Sequence, residues 1–178
     1  VSKVHKCKQC KGEYTKFQST QQVCSPSCAL ALSRSKISKQ KDKEHKQRKR
    51  KLKNEDRSFQ LKKTQQIFNS YIRLRDDSSP CISCVRHHSG QYHAGHYRTV
   101  GANPELRFDD RNCHKQCSAC NNHLSGNLVN YRINLINKFG VGYVDYLEGH
   151  HEAKRYTIAD LKELQIHFKK LTEELENA

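Results

Sequence analysis

The sequence predicts a small, helix-rich α+β protein stapled by clustered cysteines, and three observations carry that prediction. Eight of the nine cysteines of this 178-residue chain fall into two sets, Cys7/Cys10 with Cys24/Cys28 and Cys81/Cys84 with Cys117/Cys120. Apolar residues recur at helical spacing both before and after the second set. Between Cys84 and Cys117, punctuation by Gly90, Gly95, Gly101 and Pro104, with Tyr and His between, suits short strands and a loop. A hydrophobic content of 34% is thin for one large core, so small stapled modules fit better.

Three regions separate by composition. Residues 1–32 hold the first four cysteines, Tyr14, Phe17 and the turn CSPSC, and read as a compact four-cysteine module. Residues 33–57 carry twelve Lys and Arg against four acidic residues, a local charge of +8, with only Ile37 and Leu52 aliphatic. The absence of Gly and Pro between Ser27 and Ser79 permits a long helix here, but two aliphatic residues cannot supply a buried seam. This basic helix or arm must be solvated, partly disordered, or laid on a phosphate backbone.

Residues 58–178 form the third region. Thr64, Ile67, Phe68, Tyr71, Ile72 and Leu74 predict a helix over about 59–75, ended by the run from Asp76 to Pro80. One or two small hairpins are expected between the cysteine pairs. Leu128, Tyr131, Arg132, Leu135 and Ile136 mark another helix that Gly140 can close, and Tyr143 to Leu147 a short one. Thr157 followed by Asp160 resembles a capping box for a last helix whose stripe of Leu161, Leu164, Phe168, Leu171 and Leu175 is read as core, or else a dimer seam.

The charge narrows the function. Thirty-three Lys and Arg against 18 Asp and Glu leave +15, which favours a polyanionic partner, nucleic acid first. The basic run lacks the apolar face of an interfacial helix, and no stretch approaches the roughly 20 apolar residues of a membrane span, so no membrane is expected. Val1 to Lys11 is basic and polar with no apolar run behind it, so reduced thiols in a cytoplasm are expected rather than a secreted disulfide scaffold.

Two Cys-x-x-Cys pairs, at 81/84 and 117/120, match tetrahedral zinc, because each tight turn brings two thiolates to one ion. The first set, Cys-x-x-Cys then Cys-x-x-x-Cys, matches a second zinc less stringently. Cys113 is left over and reads as a small buried hydrophobe. Four thiolates leave zinc no open position, so catalysis would need other residues, and the second set encloses His96 and Asn112 with Asn121 directly behind it.

A His before the second cysteine pair, an Asn upstream of that pair and an Asn or His after it resemble the HNH, or ββα-metal, endonucleases. More narrowly, CISC, AGHYRT, LRF followed by RN, HKQC and CNNHLSGNLVNYR resemble the NinG (Rap) recombination endonuclease family of lambdoid phages, over nearly the whole chain. The resemblance implies an HNH-like core in residues 58–178, structural Zn2+ at both cysteine sets, and Mg2+ or Mn2+ for catalysis. His96 would be the general base, Asn112 would orient His96 or its hairpin, and Asn121 would ligate the catalytic ion through its carbonyl oxygen. His123 is a second contributor on the same presumed helix. Many HNH enzymes carry a metal-binding Asp or His just before the base, where this chain has Gly95; His93, two residues earlier on the same strand face, is the substitute.

Each residue also has a plainer reading. His96 could be an ordinary satisfied histidine and Asn121 a helix N-cap. Arg98, Lys115 and Arg132, like Arg48, Lys49, Arg50 and Lys51 of the basic stretch, could hold phosphates or simply be solvated. His87, His88, His114, His150 and His151 are expected on surfaces or loops without a role. The resulting expectation is metal-dependent cleavage of branched DNA, such as Holliday junctions and D-loops, in a bacterial host cytoplasm. A homodimer would match a symmetric junction, and phage or host recombination proteins are further partners. The competing class is a non-catalytic zinc protein that binds nucleic acid.

Overall fold

The computed structural model describes residues 3–177 and divides the chain into two compact units, Val1–Lys53 and Asn54–Ala178. Val1, Ser2 and Ala178 lie outside the described residues.

In the first unit, β1 (Val4–Lys6) pairs antiparallel with β2 (Glu13–Thr15), His5 facing Tyr14. The helix α1 (Pro26–Glu55) begins inside the cysteine module: Pro26 is compatible with a first helical turn because its missing N–H has no helical partner there, and Cys28 lies on that turn. The basic stretch is therefore a continuation of the module's own helix rather than a separate arm. None of its residues is buried, as the want of an apolar stripe requires.

The second unit is built around the hairpin of β3 (Tyr92–His96) and β4 (Cys113–Cys117), the single hairpin between the cysteine pairs among the described residues. Its register pairs Tyr92 with Cys117, Ala94 with Lys115 and His96 with Cys113 on one face, and His93 with Gln116 and Gly95 with His114 on the other. The segment between the strands is folded into two short 3-10 turns, Pro104–Leu106 and Asp110–Asn112.

The first face of the hairpin packs on α2 (Arg57–Arg75) and α5 (Ile158–Glu176). Asp56 caps α2 by accepting the Phe59 N–H at 2.7 Å, and Thr157 and Asp160 close the capping box of α5. Phe68, Ile72, Cys113, Leu161 and Phe168 form the core there, with Phe108 and Tyr156 from the loops. Leu161, Leu164, Phe168 and Leu171 thus face this core, whereas Leu175 is exposed. Across the α2–α5 seam, Gln165 Nε2 donates to Gln60 Oε1 (2.9 Å) and Thr64 Oγ1 (3.0 Å), so the buried polar atoms there are paired.

The second face meets α3 (Leu128–Phe139) and α4 (Val141–Glu148), where Tyr97, Leu106, Tyr131, Leu135, Val144 and Leu147 form a separate core. Gly140 joins these helices at φ 88°, a left-handed value glycine adopts without strain. No helix among the described residues is long and apolar enough to cross a membrane.

Candidate functional site

The eight paired cysteines converge into two clusters, Cys7/Cys10/Cys24/Cys28 and Cys81/Cys84/Cys117/Cys120, with the sulfurs of each cluster within 4.8 Å of one another. Zn–S bonds of about 2.3 Å in a tetrahedron place sulfurs roughly 3.8 Å apart. Cys10–Cys24 and Cys24–Cys28 at 3.6 Å and Cys84–Cys117 at 4.0 Å fit that spacing and are far beyond a disulfide.

The Cys7/Cys10 and Cys81/Cys84 turns have the same backbone pattern. Lys11 N–H donates to Cys7 O (3.0 Å) with Lys11 at φ 66°, and Val85 N–H donates to Cys81 O (2.8 Å) with Val85 at φ 55°. Burial opposes ionisation of Cys7, yet the backbone N–H groups of Cys10, Cys24 and Gln9 bring it down to about 6. Its neighbour Cys24 is pushed up to about 12 by the surrounding sulfurs, Cys28 foremost. Such a cluster ionises fully only around a cation, and both clusters are compatible with structural zinc. In the second, Asn127 Nδ2 lies 3.5 Å from Cys120 Sγ, and His88 Nε2 lies 3.2 Å from Cys84 Sγ, a contact that gives this exposed histidine a place beside the site.

His96 lies on the α2/α5 face of the hairpin. Its ring sits 5.9 Å from that of Phe68, Nε2 is 2.9 Å from the Arg107 carbonyl oxygen, and Nδ1 is 3.8 Å from Cys113 Sγ. A carbonyl only accepts, so Nε2 carries the proton and Nδ1 the lone pair. Burial, with the Arg107 guanidinium adding to it, holds the imidazole below its ordinary value despite the Arg107 carbonyl, so it is neutral near pH 7. Cys113 is fully buried and burial pushes its thiol up, as expected of a small hydrophobe.

Asn112 is fully buried and clamps the loop that holds Arg107. Its Oδ1 accepts the Arg98 N–H at 2.7 Å, and its Nδ2 donates to the carbonyls of Arg98 (3.0 Å) and Leu106 (3.2 Å). Asn112→Ala leaves three buried backbone groups without this partner and should cost about 3 kcal/mol. Chemical denaturation checks this, and a loss below about 0.5 kcal/mol would show that the clamp contributes nothing.

Asn121 lies on a π-helical turn, Ala119–His123, closed by the Leu124 N–H on the Ala119 carbonyl. The next helix starts at Leu128 with Asn127 as its N-cap residue, so Asn121 caps no helix. A Cβ placed on Gly95 would lie 3.0 Å from Asn121 Oδ1, which puts Asn121 over the second face of β3, opposite His96. His93 shares that face, as strand alternation predicts, but its Nε2 approaches Asn122 (3.5 Å) rather than Asn121. His123 is exposed, and no hydrogen bond or ring contact among the described residues joins it to His93 or Asn121.

The basic candidates diverge. Arg48, Lys49, Arg50 and Lys51 are all exposed on α1. Lys115 is buried rather than solvated, with Nζ donating to the Asp77 carbonyl and lying 4.3 Å from the centre of the Tyr92 ring. Arg132 is held bidentately by Glu148 at 2.9 and 3.1 Å. Arg98 is half-buried, and its Nε has no hydrogen-bond partner among the described residues.

Three residues of the site carry no sequence-level expectation of a role. Asp76 receives both arms of Arg75 (2.8 and 2.9 Å) and the Lys115 N–H (3.0 Å), which hold its carboxyl below the usual range against the effect of burial. His114, expected at the surface, is buried against Tyr131 and Phe139, and burial pushes it down to about 3. Gln116 is fully buried beneath Gly95. For His114 and Gln116 the cause is that all five residues of β4 are buried, so its HKQ run lacks the polar-out alternation that would have marked an interior side.

Fold and clusters together define a strongly basic, two-unit protein with two four-cysteine clusters compatible with structural zinc, the second beside a His- and Asn-bearing hairpin. The family model described as bacteriophage lambda NinG protein matches residues 1–178, and the chain belongs to the NinG family. Protein ninG of Escherichia phage 933W and that of Escherichia phage lambda are each 47% identical over 122 residues, and that of Salmonella phage P22 is 46% identical over the same length. These matches cover 68% of this chain and 60–61% of the relatives, so the chain spans about three-fifths of their length. No solved structure matches.

Proposed function

We propose that this protein is a metal-dependent DNA endonuclease that cuts branched recombination intermediates. The observation that carries the reading is the linked arrangement of Asn112, the Arg98–Arg107 loop and His96. Asn112 fixes the loop, the loop presents the Arg107 carbonyl, and that carbonyl fixes the proton of His96 on Nε2. A neutral imidazole so oriented can take a proton from water at Nδ1. Mg2+ or Mn2+, when bound, would neutralise charge on the scissile phosphate. Because His96 projects from one face of β3 and Asn121 lies over the other, the phosphate would lie along the free edge of that strand, the less buried strand of the hairpin. The exposed cations of α1 would hold the backbone of the DNA by charge rather than sequence.

The separation of His96 from Asn121 favours a second reading, a zinc-containing nucleic-acid-binding protein without catalysis. Cleavage of four-way junction, fork and linear duplex at matched salt distinguishes them: junctions cut faster than duplex are expected, and duplex cut equally well would overturn the structure-specific claim. The acid limb of the pH–rate profile is a further expectation. The active form of His96 is neutral, and its neutral fraction falls only as pH drops through a value below the ordinary 6.5. Half-maximal single-turnover rate should fall below pH 6.5, and a midpoint above it would contradict the assigned environment.

A further inference from the structure

Gln116 is fully buried on β4, yet its Oε1 has no hydrogen-bond partner among the described residues. Its orientation is fixed from the other end, where Nε2 donates to Ser83 Oγ (2.6 Å) and to the Gly126 carbonyl (2.5 Å). Because a carbonyl requires a donor, the oxygen must be the atom that points towards β3. There a Cβ on Gly95 would lie 1.9 Å from Gln116 Oε1 and 3.0 Å from Asn121 Oδ1, so two amide oxygens converge on the space that the glycine leaves. The Asn121 amide is also tied off on its nitrogen side, Nδ2 donating to Asn122 Oδ1 at 2.7 Å. Two acceptor oxygens meet with both of their donors turned away.

We propose that Gln116 Oε1 and Asn121 Oδ1 coordinate a hard divalent cation, with Gly95 as the residue whose missing side chain lets the Gln116 oxygen take its place beside β3. A buried acceptor left unpaired is costly, and a hard cation is the partner that two convergent neutral oxygens favour. The missing side chain at Gly95 is thereby answered from the opposite strand: any larger residue there would occupy the position of the ligand oxygen. His93, whose ring meets Asn122 on the same turn, flanks the ligand set and is not part of it. The assignment rests on the nuclease reading in one respect, since neutral ligands bind weakly and a DNA phosphate would supply the anionic ligand.

The test uses the zinc-loaded full chain, with Mn2+ as the probe. Free Mn2+ is followed by electron paramagnetic resonance, and the site is located by Mn2+-induced broadening of the Gly95, Gln116 and Asn121 amide signals. Gln116→Leu and Gly95→Ala should each weaken Mn2+ binding at least about tenfold with both zincs retained. Asn121→Asp, which keeps the Oδ1 oxygen, adds charge and gives up only the hydrogen bond to the exposed Asn122 side chain, should tighten it by about tenfold. A role only in folding, or in holding a water, predicts no tightening by Asn121→Asp. Mn2+ bound equally by wild type and Gln116→Leu, broadening confined to other residues, or no gain from Asn121→Asp would each overturn the assignment. None of these readouts requires DNA cutting. Wild type that cuts while Gln116→Leu binds Mn2+ normally removes this assignment alone; Mn2+ at the site without cutting removes the nuclease reading alone.

Discussion

Replacing Cys117 by serine, or stripping zinc with a strong chelator, should unfold residues 54–178 under conditions where the loaded protein is fully native. The second cluster joins three segments that are otherwise linked by a few hydrogen bonds among Ile82, Ser83, Lys115, Gln116 and Gly126: the Cys81/Cys84 turn after α2, the end of β4 at Cys117, and the turn bearing Cys120 and Asn121. A two-stranded hairpin is marginal by itself, and its paired faces belong to two separate small cores. Closed zinc sites contribute roughly 10 kcal/mol or more in small domains, so losing one ligand should cost at least about 5 kcal/mol. That corresponds to a drop in melting temperature of roughly 20 °C. Circular dichroism melts with zinc quantified by elemental analysis check this. A melting point unchanged after complete zinc loss would contradict the scaffold role of the cluster.

The second large effect is catalytic. His96→Ala should lower the single-turnover rate of junction cleavage by about 10²–10⁴-fold while leaving junction affinity and zinc content near wild type. The imidazole also packs on Phe68 and donates to Arg107, so the alanine leaves a small cavity and an unpaired carbonyl. His96→Gln separates the two roles: an amide can still donate to Arg107 but cannot take a proton from water at neutral pH. Both variants should be inactive, and the glutamine variant should be the more stable. Cleavage at the wild-type rate in His96→Gln would eliminate His96 as the base.

Much of this architecture is legible in the sequence. The helices after Arg57 follow from apolar residues at helical spacing, from Thr157 at the start of the last and from Gly140 at the end of α3, whereas the Asp56 cap emerges only in the structure. The cysteine spacing predicts both clusters. What escapes sequence reasoning lies on β4, where burial on both faces removes the alternation that reveals a strand's interior side. Lys115 reads as a surface cation until its ammonium is placed on Asp77 and Tyr92, and Gln116 is silent until Gly95 is seen to leave space above it. The division of labour between His96 and Asn121 is similarly hidden. Their positions in the chain suggest one cluster, whereas strand alternation sets His96 and Gly95 on opposite faces of β3, and Asn121 lies over the Gly95 face.

The central claim, that this is a nuclease whose closed zincs are scaffold and whose chemistry needs a separate divalent ion, is tested most directly by one assay. A labelled four-way junction is incubated with protein carrying two zincs per chain, with and without added Mn2+ or Mg2+. The account predicts cleavage products only with the added ion, while the junction is bound in both conditions. Junction bound but uncut in Mg2+ and in Mn2+ would contradict it, and would identify the protein as a zinc-stapled DNA-binding module.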